Sequence, residues 1–231
     1  MKTLLPLTTK ELYIIRHGET EFNKRGFVQG SGIDSNLNDT GKRQAQAFFT
    51  HYQQVHFDKI YVSALKRTWQ SVEPFFLKGI PMQVLPGLNE ISWGHKEGKV
   101  LSNEDDLQYF DMLNAWRNGD LTAKVPGGES PLEVAERQQV AIQHIMRHTH
   151  EKRVLICMHG RAMRIILSLL LQTPLSEMDK YDHSNLCLYV LQYDGVRFHM
   201  QIANSTEHFV HLPPVLINDK PHDFRAYKVI S

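Results

Sequence analysis

A chain of 231 residues with 26 Lys and Arg against 25 Asp and Glu, net charge +1, can bury a large core but carries no global field. This balance excludes the broad basic surface that gathers nucleic acid or anionic membrane, so any attraction for an anion is local. Cys157 and Cys187 sit in apolar runs as reduced core thiols, Met1 to Leu7 is too short and broken by Pro6 to be a signal peptide, and no run reaches the roughly 18 apolar residues of a membrane span; the reading is a cytoplasmic protein.

Along the chain, Leu12–Ile15 is a short apolar run of strand type that stops at Arg16-His17-Gly18. A Gly-rich loop over Gly26–Asn38 follows, then a helix from Asp39 or Thr40 with Ala45, Ala47, Phe48 and Phe49 on its apolar side. Ile60-Tyr61-Val62 reads as a second strand ending at Ser63, and the next helix carries Arg67, Trp69 and Val72 and breaks near Pro74. Pro81 to Leu88 reads as extended. Trp93 to Gly128 is an irregular excursion with one helix around Leu107–Trp116, a cap at about 93–128. Ser130 is the expected N-cap and Pro131 the first position of a long helix with Val134, Ala141, Ile142 and Ile145 inward. Val154–Met158 is a strand buried on both faces, ending at His159-Gly160 and followed by a helix over Arg161–Leu171. Leu186–Gln192 and Val196–Ile202 form a hairpin around Asp194-Gly195, and a polar, Pro-containing tail without period begins at Asn204. The expectation is one α/β domain over 1–231: a three-layer α/β/α sandwich with a mostly parallel sheet and a small cap.

Three apolar strands therefore hand over to helices through polar edges: Arg16-His17-Gly18, Ser63 with Arg67 one turn on, and His159-Gly160. A parallel sheet aligns its carboxyl ends on one edge, where open α/β folds place their sites. Two guanidinium forks, two imidazoles and incoming helix N-termini suit a tetrahedral dianion, which points to a phosphoryl group. Neither a Walker-type loop nor a carboxylate cluster for Mg²⁺ is present, so neither metal nor cofactor is expected and the side chains must do the chemistry.

Leu12 to Thr20 with Asn23 resembles the signature of the histidine phosphatase superfamily, which includes cofactor-dependent phosphoglycerate mutases and fructose-2,6-bisphosphatase-like phosphatases. Further blocks are similar in family order: Ser63 to Ser71, Leu88-Asn89-Glu90, Pro126 to Ser130, and Met158-His159-Gly160 with Arg164. The resemblance implies that His17 is a nucleophile phosphorylated on Nε2. It also implies that Arg16, Arg67, a protonated His159 and Asn23 hold the phosphoryl oxygens, and that Glu90 is the proton donor. Gln29, Gly30 and Gly160 would border the substrate. A neutral imidazole attacking in line splits one displacement into two, and a partly desolvated carboxyl can give and then take a proton.

The same phosphohistidine can pass its group to water or to a second hydroxyl. Mutases of the family carry paired arginines in a longer basic insertion, whereas Gly94 to Lys124 here contains only Arg117. Together with Trp116 to Asp120 shortly before Pro126, this favours the phosphatase branch and a small phosphorylated substrate; a phosphoglycerate mutase is the alternative, and a weakly active phospho-ligand-binding regulator the alternative of another class. The chain departs from the family pattern at His95-Lys96, where an aromatic residue is common before Glu-Gly, and at Met158, where Ser or Thr precedes the second His. His144, His148 and His150 read as a solvated helix end rather than a metal site, and Trp69, Trp93 and Trp116 as packing residues. A homodimer is compatible with the sequence.

Overall fold

The computed structural model describes residues 9–100 and 107–209. Six strands form one sheet: β1 (Lys10–Arg16), β2 (Lys59–Val62), β3 (Met82–Val84), β4 (Arg153–Met158), β5 (Leu188–Tyr193) and β6 (Phe198–Ser205), in spatial order β3-β2-β4-β1-β5-β6. The first four are mutually parallel, and β5 and β6 add an antiparallel hairpin beyond β1. The mostly parallel sheet is thus present with an antiparallel edge, and the hairpin falls where Asp194-Gly195 predicts it.

Helices cover both faces. Along β4, Val154, Ile156 and Met158 point into one core with Ala141 and Ile145 of α5 (Pro131–Arg147) and Ala162, Met163 and Ile166 of α6 (Gly160–Leu170). Leu155 and Cys157 point into the other, with Phe48 of α2 (Asp39–Tyr52) and Val72 and Phe75 of α3 (Lys66–Leu77). The period of two along one strand therefore feeds two cores, as a sheet buried on both sides requires. A short α1 (Glu21–Lys24), not foreseen, sits directly after the first polar edge and is closed by a Thr20–Asn23 capping box.

The excursion after β3 builds a third apolar cluster. Trp93, Tyr109, Met112, Leu113 and Trp116, most of them on α4 (Leu107–Arg117), pack against Val134 and Ala135 of α5 and Ile165 of α6. Trp93 and Trp116 are buried as expected, but Trp69 is 36 % exposed and belongs to none of the three clusters. A second correction concerns Pro74, which lies inside α3 instead of ending it. The ring removes one helical hydrogen bond at a cost of about 3 kcal/mol. Continuing to Leu77 buries Phe75 completely, which offsets about 1.5–3 kcal/mol of that cost. The segment from Pro81 is extended only over Met82–Val84, then turns through a 3₁₀ turn at Pro86–Leu88. Strand β6 runs to Ser205 and a 3₁₀ turn spans Glu207–Phe209, so the tail begins later than expected; the rest of it lies outside the described residues.

Candidate active site

Register brings the polar edges together. Arg16 pairs with Met158 in the parallel β1–β4 ladder, so the next residues, His17 and His159, emerge side by side with ring centroids 5.2 Å apart. Val62 pairs with Cys157, which places Ser63 beside the same edge. The amide of His17 continues the ladder by donating to the Met158 carbonyl at 3.0 Å.

The His17 ring is buried, and its Nδ1 lies 2.7 Å from the Gly18 carbonyl oxygen. A carbonyl only accepts, so Nδ1 carries the proton and the lone pair stays on Nε2. Burial, reinforced by the Arg67 and Arg16 cations, holds this imidazole well below its ordinary pKa, so it is neutral. A neutral, Nδ1-protonated imidazole is the form in which Nε2 is nucleophilic.

Arg67 is fully buried on the first turn of α3. Its Nη1 and Nη2 donate to the carbonyls of Ile33 and Gly30, and its Nε donates to His159 Nδ1 at 3.2 Å. Burial pushes its pKa down to about 10, which still leaves it charged at neutral pH. Arg16 Nη1 donates to the His183 carbonyl, while its buried Nε has no hydrogen-bond partner among the described residues. Neither arginine forms an ion pair with a carboxylate among the described residues. A buried Arg67 and a partly buried Arg16, neither in contact with a carboxylate, beside a neutral nucleophile favour an anionic ligand.

His159 departs from expectation. Its Nδ1 accepts from Arg67 and its Nε2 donates to Ser63 Oγ at 2.7 Å, so both ring nitrogens are committed and the ring is the neutral Nε2-protonated tautomer. Burial, with Arg67, His17 and Arg16, keeps it well below the ordinary imidazole pKa. The protonated His159 is therefore corrected: with Arg67 already donating to Nδ1, a second proton there has no place, and the ring aligns the guanidinium instead.

Glu90 is buried against the N-terminus of α6. Its Oε1 accepts from the amides of Ile91 and Ala162 and its Oε2 from the amide of Arg161, so the helix dipole and three N–H groups face the carboxylate. Asn23 Oδ1 accepts from the Thr20 amide and from Asn185 Nδ2, which commits the amide oxygen and leaves Nδ2 as the end able to donate to an anion. Gln29 is tied to Thr20 and Ser35 and so holds the loop. A Cβ on Gly30 would lie 2.2 Å from Glu97 Oε1, and one on Gly160 would lie 2.8 Å from the His183 ring, so both glycines allow close approach.

Several residues at this edge carry no motif. Asn185 is buried and donates to the His17 carbonyl at 2.9 Å, and Leu186, at φ 54°, donates its amide to the Arg16 carbonyl. Asp179 accepts from Arg117, Arg161 and Arg164 and is held well below the usual carboxylate range by those cations against the opposing effect of burial. His144, His148 and His150 meet in tilted and edge-on ring contacts at the C-terminal end of α5, where His148 Nδ1 meets the His144 carbonyl. Among the described residues no group of three or more His, Cys, Asp or Glu is arranged to hold a metal, and no helix is long and apolar enough to cross a membrane. Both cysteines are buried.

A three-layer α/β/α fold with a histidine, two arginines and a glutamate on one sheet edge defines a phosphoryl-transfer class. The family model described as "Histidine phosphatase superfamily (branch 1)" matches residues 12–206, and the chain belongs to that family. It is 31 % identical over 162 residues to "Fructose-2,6-bisphosphatase TIGAR B" of Danio rerio, covering 68 % of this chain and 59 % of that protein, so the match spans under two thirds of the relative's length. It is 32 % identical over 170 residues to "Probable phosphoglycerate mutase GpmB" of Proteus mirabilis, covering 71 % of this chain and 76 % of that one. Among solved structures, the alpha-ribazole phosphatase from Shigella flexneri superimposes with a TM-score of 0.75 at 25 % identity, over 84 % of this chain and 96 % of that chain.

Proposed function

We propose that the protein is a metal-independent phosphate monoester hydrolase acting through a phosphohistidine on a small phosphorylated metabolite in the cytoplasm. His17 Nε2 attacks phosphorus in line, the P–N bond forms as the P–O bond to the leaving group breaks, and Glu90 in its acid form gives that oxygen its proton. Water then attacks phosphorus, Glu90 takes a proton from it, the P–N bond breaks and inorganic phosphate leaves. The Arg16 and Arg67 guanidinium groups and Asn23 Nδ2 meet the charge spread over the equatorial oxygens, the preorganised electrostatic contribution that is worth most in such reactions. His159 acts through Arg67, fixing its fork.

The observation that carries this reading is the His17 tautomer, set by the Gly18 carbonyl beside the Arg16 and Arg67 guanidinium groups. Hydrolysis is favoured over mutase chemistry because Arg117, the sole arginine of residues 94–124, is committed to Asp179. The relatives named for a bisphosphatase and a ribazole phosphatase support a small phosphorylated substrate. The cap formed around α4 is the element that selects it.

The test is phosphate release from a panel of sugar phosphates, phosphoglycerates, nucleotides and phosphopeptides, run in chelator with a parallel mutase assay. Chelator-resistant release, inhibition by vanadate and loss of at least about 10³ in kcat for His17→Ala are expected. Undiminished turnover in His17→Ala overturns the assignment, and isomerisation without release moves it to the mutase.

A further inference from the structure

The glutamate that faces the N-terminus of α6 is not held there by α6 alone. Arg137, near the middle of α5, has five N–H donors, and the structure gives all five a partner. Nε and Nη2 donate to Glu129 Oε1 and Oε2 at 2.8 and 3.0 Å, a side-on bidentate pair. Nη1 donates to the carbonyls of Gly87 and Asn89, both at 2.9 Å, and Nη2 donates to the carbonyl of Glu90 itself at 3.0 Å. Glu129 in turn accepts the amide of Ser92 at 2.8 Å and donates its own amide to the Ser92 carbonyl. The neighbouring Gln138 donates to the carbonyl of Ala162, whose amide binds the Glu90 carboxylate.

One helix turn of α5 therefore grips both sides of the Glu90 contact. It holds the loop from Gly87 to Ser92 that delivers the side chain, and it holds the first turn of α6 that receives it. We infer that Arg137 and Glu129 are positioning residues that fix the Glu90 carboxyl where it transfers its proton. This inference rests on the reading of Glu90 as the proton donor. Lysine at position 137 keeps the charge but has one nitrogen and cannot bridge Glu129 and three carbonyls, so the loop gains freedom at the atom that must sit within hydrogen-bond reach of the leaving oxygen. Displacements of about 1 Å at such a contact cost about 10²-fold in rate.

The experiment compares wild type, Arg137→Lys, Glu129→Gln, Glu90→Gln and the Arg137→Lys/Glu90→Gln double variant on phenyl phosphate and 2,4-dinitrophenyl phosphate. The first substrate needs a proton on its leaving oxygen and the second does not. Arg137→Lys and Glu129→Gln are expected to lose about ten-fold or more in kcat/KM, which reports the phosphorylation step alone, on phenyl phosphate and less than about three-fold on the dinitrophenyl ester, and the losses on the two esters are compared in that constant throughout. The double variant is expected to lose no more than Glu90→Gln alone, because the two residues act as a unit. If Arg137→Lys does not fold, Glu129→Gln, which keeps its shape and one acceptor, carries the same comparison. Equal losses on both esters, or additive losses in the double variant, overturn this inference alone when Glu90→Gln is itself leaving-group dependent. A Glu90→Gln variant with equal losses on both esters overturns the proton-donor reading and this inference with it.

Discussion

At the scale of single residues, the site is a set of hydrogen-bond directions. Arg67 spends its donors on two loop carbonyls and His159, and that fixed fork distinguishes it from a mobile cation. Arg67→Lys keeps a positive charge but loses the fork, and a decrease of about 10²–10³ in kcat is expected in steady-state kinetics; an unchanged kcat would show that charge alone suffices. His17, Arg16, Arg67 and His159 were legible because each sits in a local pattern of strand, polar edge and helix, whereas Glu90 was read only from the resemblance carried by Leu88-Asn89-Glu90. Asn185 and Arg137 were not legible. Each is a lone polar residue whose partner, the His17 carbonyl or the Glu90 loop, is chosen by packing across the sheet. The charge state of His159 was misjudged for the same reason, since the direction of the Arg67 Nε–H is not written in either segment.

Among the elements, boundaries set by local chemistry agree with the sequence reading and those set by tertiary packing do not. Ser130 accepts the Glu133 amide while Glu133 accepts the Ser130 amide, a reciprocal cap foreshadowed by Ser130-Pro131. Ser130→Ala is expected to destabilise the protein by about 1 kcal/mol in urea unfolding, and the helix it starts is the one that carries Arg137. No change in the unfolding midpoint would show that the cap contributes nothing. Pro74 illustrates the opposite case: its ring argues locally for a helix end, yet the burial of Phe75 in the α2–α3 core carries the helix onward.

The whole molecule is sensitive to acid through buried imidazoles. Burial keeps His17, His159 and His183 well below the ordinary value and lowers His208, packed among Phe48, Tyr52 and Phe209, to about 4. Each binds its proton more readily in the unfolded chain, so the stability it contributes is complete above pH of about 6.5 and falls as pH drops below that value. The slope is up to about 1.4 kcal/mol per pH unit for each such histidine, and for His208 it levels off near its folded value of about 4. Urea unfolding at pH 7.5 and 5.5 should show this loss, and His208→Phe, which fits the same aromatic nest, should reduce it; equal stability at both pH values contradicts the account. The parallel core of the sheet followed from strands alternating with helices, whereas the packing of α4 and Trp93 against α5 and α6 depends on contacts between distant segments.

The central claim is that His17 Nε2 becomes covalently phosphorylated. Mixing enzyme with a labelled phosphate monoester, quenching in base within milliseconds and mapping the label tests it most directly. The expected result is a base-stable, acid-labile phosphate on His17, formed at least as fast as turnover and absent from His17→Ala. Label on a serine, or turnover with no phosphoenzyme on His17 at any time, would contradict the account.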